Sequence, residues 1–170
     1  MKIEKIQRHF GDPSTYLYCI LDGGTVEELP QRLFMHGLPN FCLLAGDLES
    51  DVVHVAPYLV QVPAEHEFTN WVLSEGFGDD WGIFVHSRCT LIEMRRHFRA
   101  LAKVYDENGN ARIFRYYDPR VLRNYLPTCT PIELIEFFGN VETIFAESDD
   151  GQALMSFTLE NNVLKRSELN

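Results

Sequence analysis

Apolar positions along the chain fall into short runs and stripes whose period switches between two and 3.6. Residues 15–21 carry Tyr16, Leu17, Tyr18, Cys19, Ile20 and Leu21, apolar on both faces, which predicts a central strand covered on both sides. Asp22-Gly23-Gly24 ends it. Thr25 and Glu28 spell a capping box, and Val26, Leu29, Leu33 and Phe34 recur at helical spacing until Gly37. Pro30, at the fifth position of that helix, moves the expected start toward Leu29. Residues 40–46, through Phe41-Cys42-Leu43-Leu44-Ala45, predict a second strand, and a loop through Glu49, Asp51 and His54 leads to a third over 58–62. Phe68, Trp71 and Val72 stripe a helix over 65–75 that Gly76 ends, and 81–86 is a fourth strand.

The strongest helix follows, with a capping box at Thr90 and Glu93 and a stripe of Leu91, Met94, Phe98 and Leu101. Arg95, Arg96, Arg99 and Lys103 cover much of its remaining surface. That is either a solvated face or an acceptor for an acidic partner. Asn108-Gly109 predicts a hairpin between 103–105 and 112–116. Thr130, Pro131 and Glu133 open another helix, apolar through Ile132, Leu134, Ile135, Phe137 and Phe138 and ended by Gly139. Residues 141–147 and 153–159 form a second hairpin around Asp149-Asp150-Gly151. The expected organisation is a polar lead-in over 1–14, one α/β domain over 15–160 with a mixed β-sheet flanked by helices and a C-terminal β-hairpin, and a polar tail over 161–170 that frays.

The chain pivots on residues 112–126. Ile113, Arg115 and Tyr117 alternate with Phe114 and Tyr116 as in a strand; then Asp118 serves as an N-cap and Pro119 as the first helical residue. Val121, Leu122, Tyr125 and Leu126 stripe the new helix, and Pro127 stops it. Chain geometry alone brings Arg115, Asp118 and Arg120 together, as an ion-paired structural knot or as the lip of a site.

Composition narrows the classes of function. Fifteen basic against 25 acidic side chains give a net charge of -10, which repels nucleic acid and anionic membranes on average. Cys19, Cys42, Cys89 and Cys129 are scattered, as expected of reduced thiols, and residues 1–10 lack the apolar core of a signal peptide, so a cytoplasmic protein is expected. His66-Glu67 has no second histidine in the HExxH position, no GxSxG elbow occurs, and the acidic Gly76-Phe77-Gly78-Asp79-Asp80 loop is unlike a phosphate cradle. Asp22, Asp47 and Asp118 sit at strand ends, where α/β enzymes place chemistry and where turns need capping. His86 and His97 are the histidines nearest the pivot. No cofactor or metal site is expected.

Several stretches together resemble the bacterial type VI secretion adaptor chaperones, catalogued as domain of unknown function 4123. They are Leu21-Asp22-Gly23, Pro57-Tyr58-Leu59-Val60, Trp81-Gly82-Ile83 leading to Ser87, Arg96-His97-Phe98-Arg99, the run from Phe114 to Leu122, and Phe137-Phe138-Gly139, in order over about 15–140. The resemblance implies a non-enzymatic protein that binds a secreted effector and helps load it onto a valine-glycine repeat spike or a PAAR-type tip. It carries over Arg99, Arg115, Tyr117, Asp118, Pro119 and Arg120 as partner-binding candidates. Many relatives continue into a further C-terminal lobe where this chain has a hairpin. A client groove would draw on Phe77, Trp81, Tyr116, Tyr117 and Tyr125 unless these are core. The alternative is a small enzyme or phosphate-ligand binder using Asp22, His97, Arg115, Asp118 and Arg120 in one pocket.

Overall fold

The computed structural model describes residues 3–44 and 50–169. In chain order the elements are α1 (Ile3–Gln7), β1 (Tyr16–Asp22), α2 (Leu29–His36), β2 (Asn40–Cys42), α3 (Ser50–Val55), β3 (Pro57–Gln61), α4 (Glu67–Glu75), β4 (Gly82–Ser87) and α5 (Leu91–Ala102). Then come β5 (Lys103–Tyr105), β6 (Ala111–Ile113), α6 (Pro119–Tyr125), a 3-10 turn, α7 (Pro131–Phe138), β7 (Val141–Glu147), β8 (Leu154–Glu160) and β9 (Val163–Leu169). Seven strands form one sheet in the order β2-β3-β1-β4-β7-β8-β9, and β5-β6 is a separate hairpin.

Strand parity sorts the apolar residues into two cores. Tyr18 and Ile20 of β1, Ile83 and Val85 of β4, and Ile144 and Ala146 of β7 pack under α5, α6 and α7. Leu17, Cys19 and Leu21, with Phe84 and Phe145, face the opposite way and pack with α1, α2 and α4. The result is a three-layer α/β/α domain, as the apolar character of β1 on both faces predicts. Every pairing in the sheet is antiparallel, where a mixed sheet was expected. β1 and β4 approach so closely that a Cβ on Gly82 would lie 2.0 Å from the Ile20 carbonyl oxygen.

The capping boxes at Thr90/Glu93 and Thr130/Glu133 form, and Asp118 caps α6 with Pro119 in its first turn. The box at Thr25/Glu28 does not form. Thr25 instead closes a turn on Asp22, and α2 starts at Leu29 with Pro30 in its first turn. The loop expected through His54 contains α3. The lead-in is no mere polar segment, because Ile6 and Phe10 are buried in the second core. Nor does the tail fray: Asn161 and Asn162, both at positive φ, turn β8 into β9. The strand expected over 112–116 ends at Ile113; Tyr116 and Tyr117 are consecutively buried in a turn closed by Asp118 N–H on the Arg115 carbonyl at 3.0 Å. Phe137 and Tyr117 rings both contact Tyr116, whose own ring stacks on Phe98, so aromatic packing overrides strand alternation there.

Candidate functional site

Asp22 ends β1 and Asp118 opens α6, and 93 residues of sequence separate Asp22 from the arginine that joins the two carboxylates. Arg115 Nη2 lies 2.5 Å from Asp22 Oδ2 and 3.5 Å from Asp118 Oδ2. Asp22 is buried and otherwise locks its own turn, accepting the Gly24 N–H at 3.0 Å and the Thr25 hydroxyl at 3.3 Å. Asp118 accepts the Arg120 main-chain N–H at 3.0 Å, which is the helix cap, while Arg120 Nε and Nη2 grip its two oxygens at 3.0 and 2.8 Å. Burial alone would raise the Asp118 carboxyl; the Arg120 hydrogen bonds and the two guanidinium charges outweigh it and hold the group below its usual value.

The chain of charges continues. Arg120 Nε lies 3.4 Å from Asp80, and Arg123 Nη2 lies 4.0 Å from Asp80 and 3.4 Å from Asp149. Arg123 also donates to the Glu147 carbonyl at 2.6 Å. The Glu147 side chain, buried at the end of β7, accepts the Gly78 and Asp80 N–H groups at 2.7 and 3.0 Å. Burial pushes its carboxyl up to about 7; the Gly78 N–H opposes this and the neighbouring Asp80 carboxyl adds to it. Asp80 holds a left-handed backbone, φ 53°, and its Oδ1 is buried without a hydrogen-bond partner among the described residues.

These residues make a ledge at one end of the strands; over Asp22 and Asp118 the carboxylates lie inside and the guanidinium groups outside, whereas at its far end Arg123 lies inside and Asp149 outside. The Asp22 and Asp118 side chains are 6% and 5% exposed, against 47% for Arg115 and 58% for Arg120. An arginine has five N–H donors, so the outer edges of Arg115 and Arg120 can receive carboxylate or carbonyl oxygens without releasing their internal partners. Tyr117 backs the ledge from the core. Burial and the Asp22 charge push its phenol up to about 12 against the Arg115 guanidinium, so it stays protonated near neutrality.

The structure therefore gathers Arg115, Tyr117, Asp118, Pro119 and Arg120 with Asp22, but not Arg99 or His97. Arg99 donates to the Cys42 carbonyl at 2.8 Å and the Leu44 carbonyl at 3.0 Å, fixing the end of β2. His97 Nε2 lies 2.9 Å from the Phe137 carbonyl, and His86 Nε2 3.3 Å from that of Phe10. Burial lowers both imidazoles. Arg95 packs over Phe41 at 4.4 Å, so the basic face of α5 is partly spent on β2. Tyr116 and Tyr117 are core and contribute no groove, whereas Phe77, Trp81 and Tyr125 are half-buried. Asp47 lies outside the described residues. Sequence reasoning missed Asp80, Arg123 and Glu147; the only local signal was an acidic residue after a Gly-Phe-Gly turn. No group of three or more metal-ligating side chains occurs among the described residues, and no described helix is long and apolar enough to cross a membrane.

The chain belongs to the family described as Domain of unknown function (DUF4123), whose model matches residues 17–136. No curated protein and no solved structure matches.

Proposed function

We propose that this family member is a cytoplasmic adaptor chaperone that binds a type VI secretion effector and helps load it onto a spike or spike-tip protein. Its work is binding and not catalysis. The observation that carries the reading is the ledge: the run from Phe114 to Leu122, the most specific part of the resemblance, is also the part that holds two half-exposed guanidinium groups in fixed positions. Rigid arginine forks above buried carboxylates suit an acidic or carbonyl-rich segment of a client, with Trp81 and Phe77 close by in sequence to the Asp80 end of the ledge. A phosphate-binding or catalytic reading is weaker. Arg115 and Arg120 each face two carboxylates and Arg123 faces Asp80 and Asp149, so the ledge offers little uncompensated positive charge for a phosphate.

The test is co-expression with the effector and spike proteins encoded beside it, followed by size-exclusion chromatography with mass detection. A stable complex that keeps the effector soluble supports the reading. Arg115→Lys and Arg120→Lys keep the charge facing the buried carboxylates but lose the planar fork, so they should weaken capture about 10-fold while unfolding shifts little. If the protein elutes alone with every neighbour and the effector is soluble without it, the adaptor reading is wrong.

A further inference from the structure

The sheet ends on β9, whose outer edge has no neighbour among the described residues. The tight Asn161-Asn162 turn makes Glu160 and Val163 the closing hydrogen-bonded pair of the β8-β9 hairpin. Alternation then turns the main-chain groups of residues 163, 165, 167 and 169 toward β8, consistent with the Ser167 carbonyl lying 3.4 Å from the Ser156 hydroxyl. Those of Leu164, Arg166 and Glu168 point outward. A free edge of this length is a template for another strand.

We infer that β9 pairs antiparallel with β9 of a second copy of this chain, on a two-fold axis at Ser167. A two-fold antiparallel pair must set the axial residue opposite itself. Axes at Lys165, Arg166 or Glu168 would each face a charge with its like. An axis at Ser167 sets Arg166 opposite Glu168 of the second copy, and does so again on the other side of the axis. Arg166 and Glu168 are the same residues whose main-chain groups face outward, so each charge pair sits on a doubly hydrogen-bonded pair. The charge pattern of the strand is thus self-complementary in the one register among these four that also avoids like-charge contacts.

The surface beside the edge fits the same occupant. A two-fold axis normal to the sheet keeps α7 of both copies on one face. There α7 exposes Ile132 and Ile135, and an open groove of about 420 Å³ runs between Leu126, Pro131 and Leu134 on one side and Leu164 on the other. Strand pairing alone buries less than the roughly 1,000 Å² a stable interface needs, and this apolar margin enlarges it. The pairing strand lies outside the 17–136 family match, and the inference does not rest on the adaptor reading.

The experiment is sedimentation velocity on the full chain at about 1 to 200 µM, the range in which small interfaces dissociate. The mass should rise from monomer toward dimer with concentration. Arg166→Glu should raise the dissociation constant at least about 10-fold, and adding Glu168→Arg should restore it, because the pairs are reversed and not removed. Ser167→Cys should give an intermolecular disulfide between the introduced thiols under mild oxidation, mapped by peptide mass spectrometry, since residues facing each other in a non-hydrogen-bonded pair lie about 4.5 Å apart at Cα. All these side chains lie on an exposed edge, and unchanged thermal unfolding checks the fold. A monomer at every concentration overturns the inference. So does a dimer that ignores Arg166→Glu, one that the double reversal fails to rescue, or the absence of the cross-link.

Discussion

Replacing Glu147 by glutamine should make the protein relatively more stable as pH rises from 5 to 8. In the fold Glu147 is 7% exposed, its carboxyl accepts two main-chain N–H groups, and it sits beside Asp80, whose buried Oδ1 lacks a donor among the described residues. A proton on Glu147 can supply that donor. Its pKa is pushed up to about 7 from an ordinary value of 4.5, mainly by burial. The folded state therefore keeps a proton that the unfolded chain has already released. The stability this contributes is complete below about pH 4.5 and is lost as pH rises through about 7. At about 1.4 kcal/mol per unit the full shift would be worth roughly 3 kcal/mol; part of it is already lost by pH 5 and solvent screens the rest, so about 1–2 kcal/mol is expected between pH 5 and 8. The amide of Glu147→Gln does not titrate and can itself donate to Asp80 Oδ1. Urea unfolding of both proteins at pH 5, 6, 7 and 8 measures the difference, in which His86 and His97 cancel. A difference that stays flat, or that moves in favour of the natural protein at high pH, would refute the assignment of a proton-holding Glu147.

Asp118→Ala should cost about 1–2 kcal/mol by removing the α6 cap, whereas Asp118→Asn, which keeps a capping oxygen, should cost less than about half of that; chemical denaturation at pH 7 compares them. Gly82→Ala should cost about 2–4 kcal/mol, seen in the same assay, because its methyl would meet the Ile20 carbonyl oxygen at 2.0 Å and β1 and β4 must part at the centre of the sheet. Arg99→Ala should speed hydrogen exchange in β2 with little change elsewhere, since the Cys42 and Leu44 carbonyls lose their guanidinium partner and the strand has only three residues.

Local chemistry was legible wherever the partner lay within a turn of the chain. Thr90 and Thr130 capped as their spacing predicts, Asp118 and Pro119 opened α6, and Gly37 and Gly139 ended their helices at positive φ. Thr25 and Glu28 show the same spelling without the structure, because Asp22 reaches Thr25 first and Pro30 delays the helix. The run over 113–117 read as a strand because apolar and charged residues alternate, yet two adjacent tyrosines are both buried when a turn lies between three helices and a sheet. β9 carries Lys165, Arg166 and Glu168 in succession around Ser167, with no alternation to mark it, and its existence depends on the turn before it and on β8. The candidate site was half legible: Arg115, Asp118 and Arg120 are neighbours in sequence, but Asp22, Asp80 and Glu147 reach them through sheet order, which no local period encodes.

That sheet order also gives the ledge a second role, as the joint between two parts of the chain. Asp22, Asp80, Arg115, Asp118, Arg120 and Arg123 all fall within the 17–136 family match, whereas Glu147 and Asp149 belong to β7 and the turn after it. β7 already pairs with β4 through Phe84↔Phe145 and Val85↔Ile144. At its far end the matched region grips it twice more: Arg123 holds the Glu147 carbonyl and the Asp149 carboxylate, and the Glu147 side chain in turn holds the N–H groups of Gly78 and Asp80. Packing reinforces the same place, since the backbone of Gly151, at φ 64°, leaves only 2.9 Å between a built Cβ and Gly78 Cα. The three C-terminal strands are thus positioned by the arginine-rich end of the matched region as well as by the hydrogen-bond ladder. A substitution meant to probe partner capture at Arg123 would therefore loosen β7 as well, while Arg115 and Arg120, whose ion pairs stay within the matched region, separate the two roles.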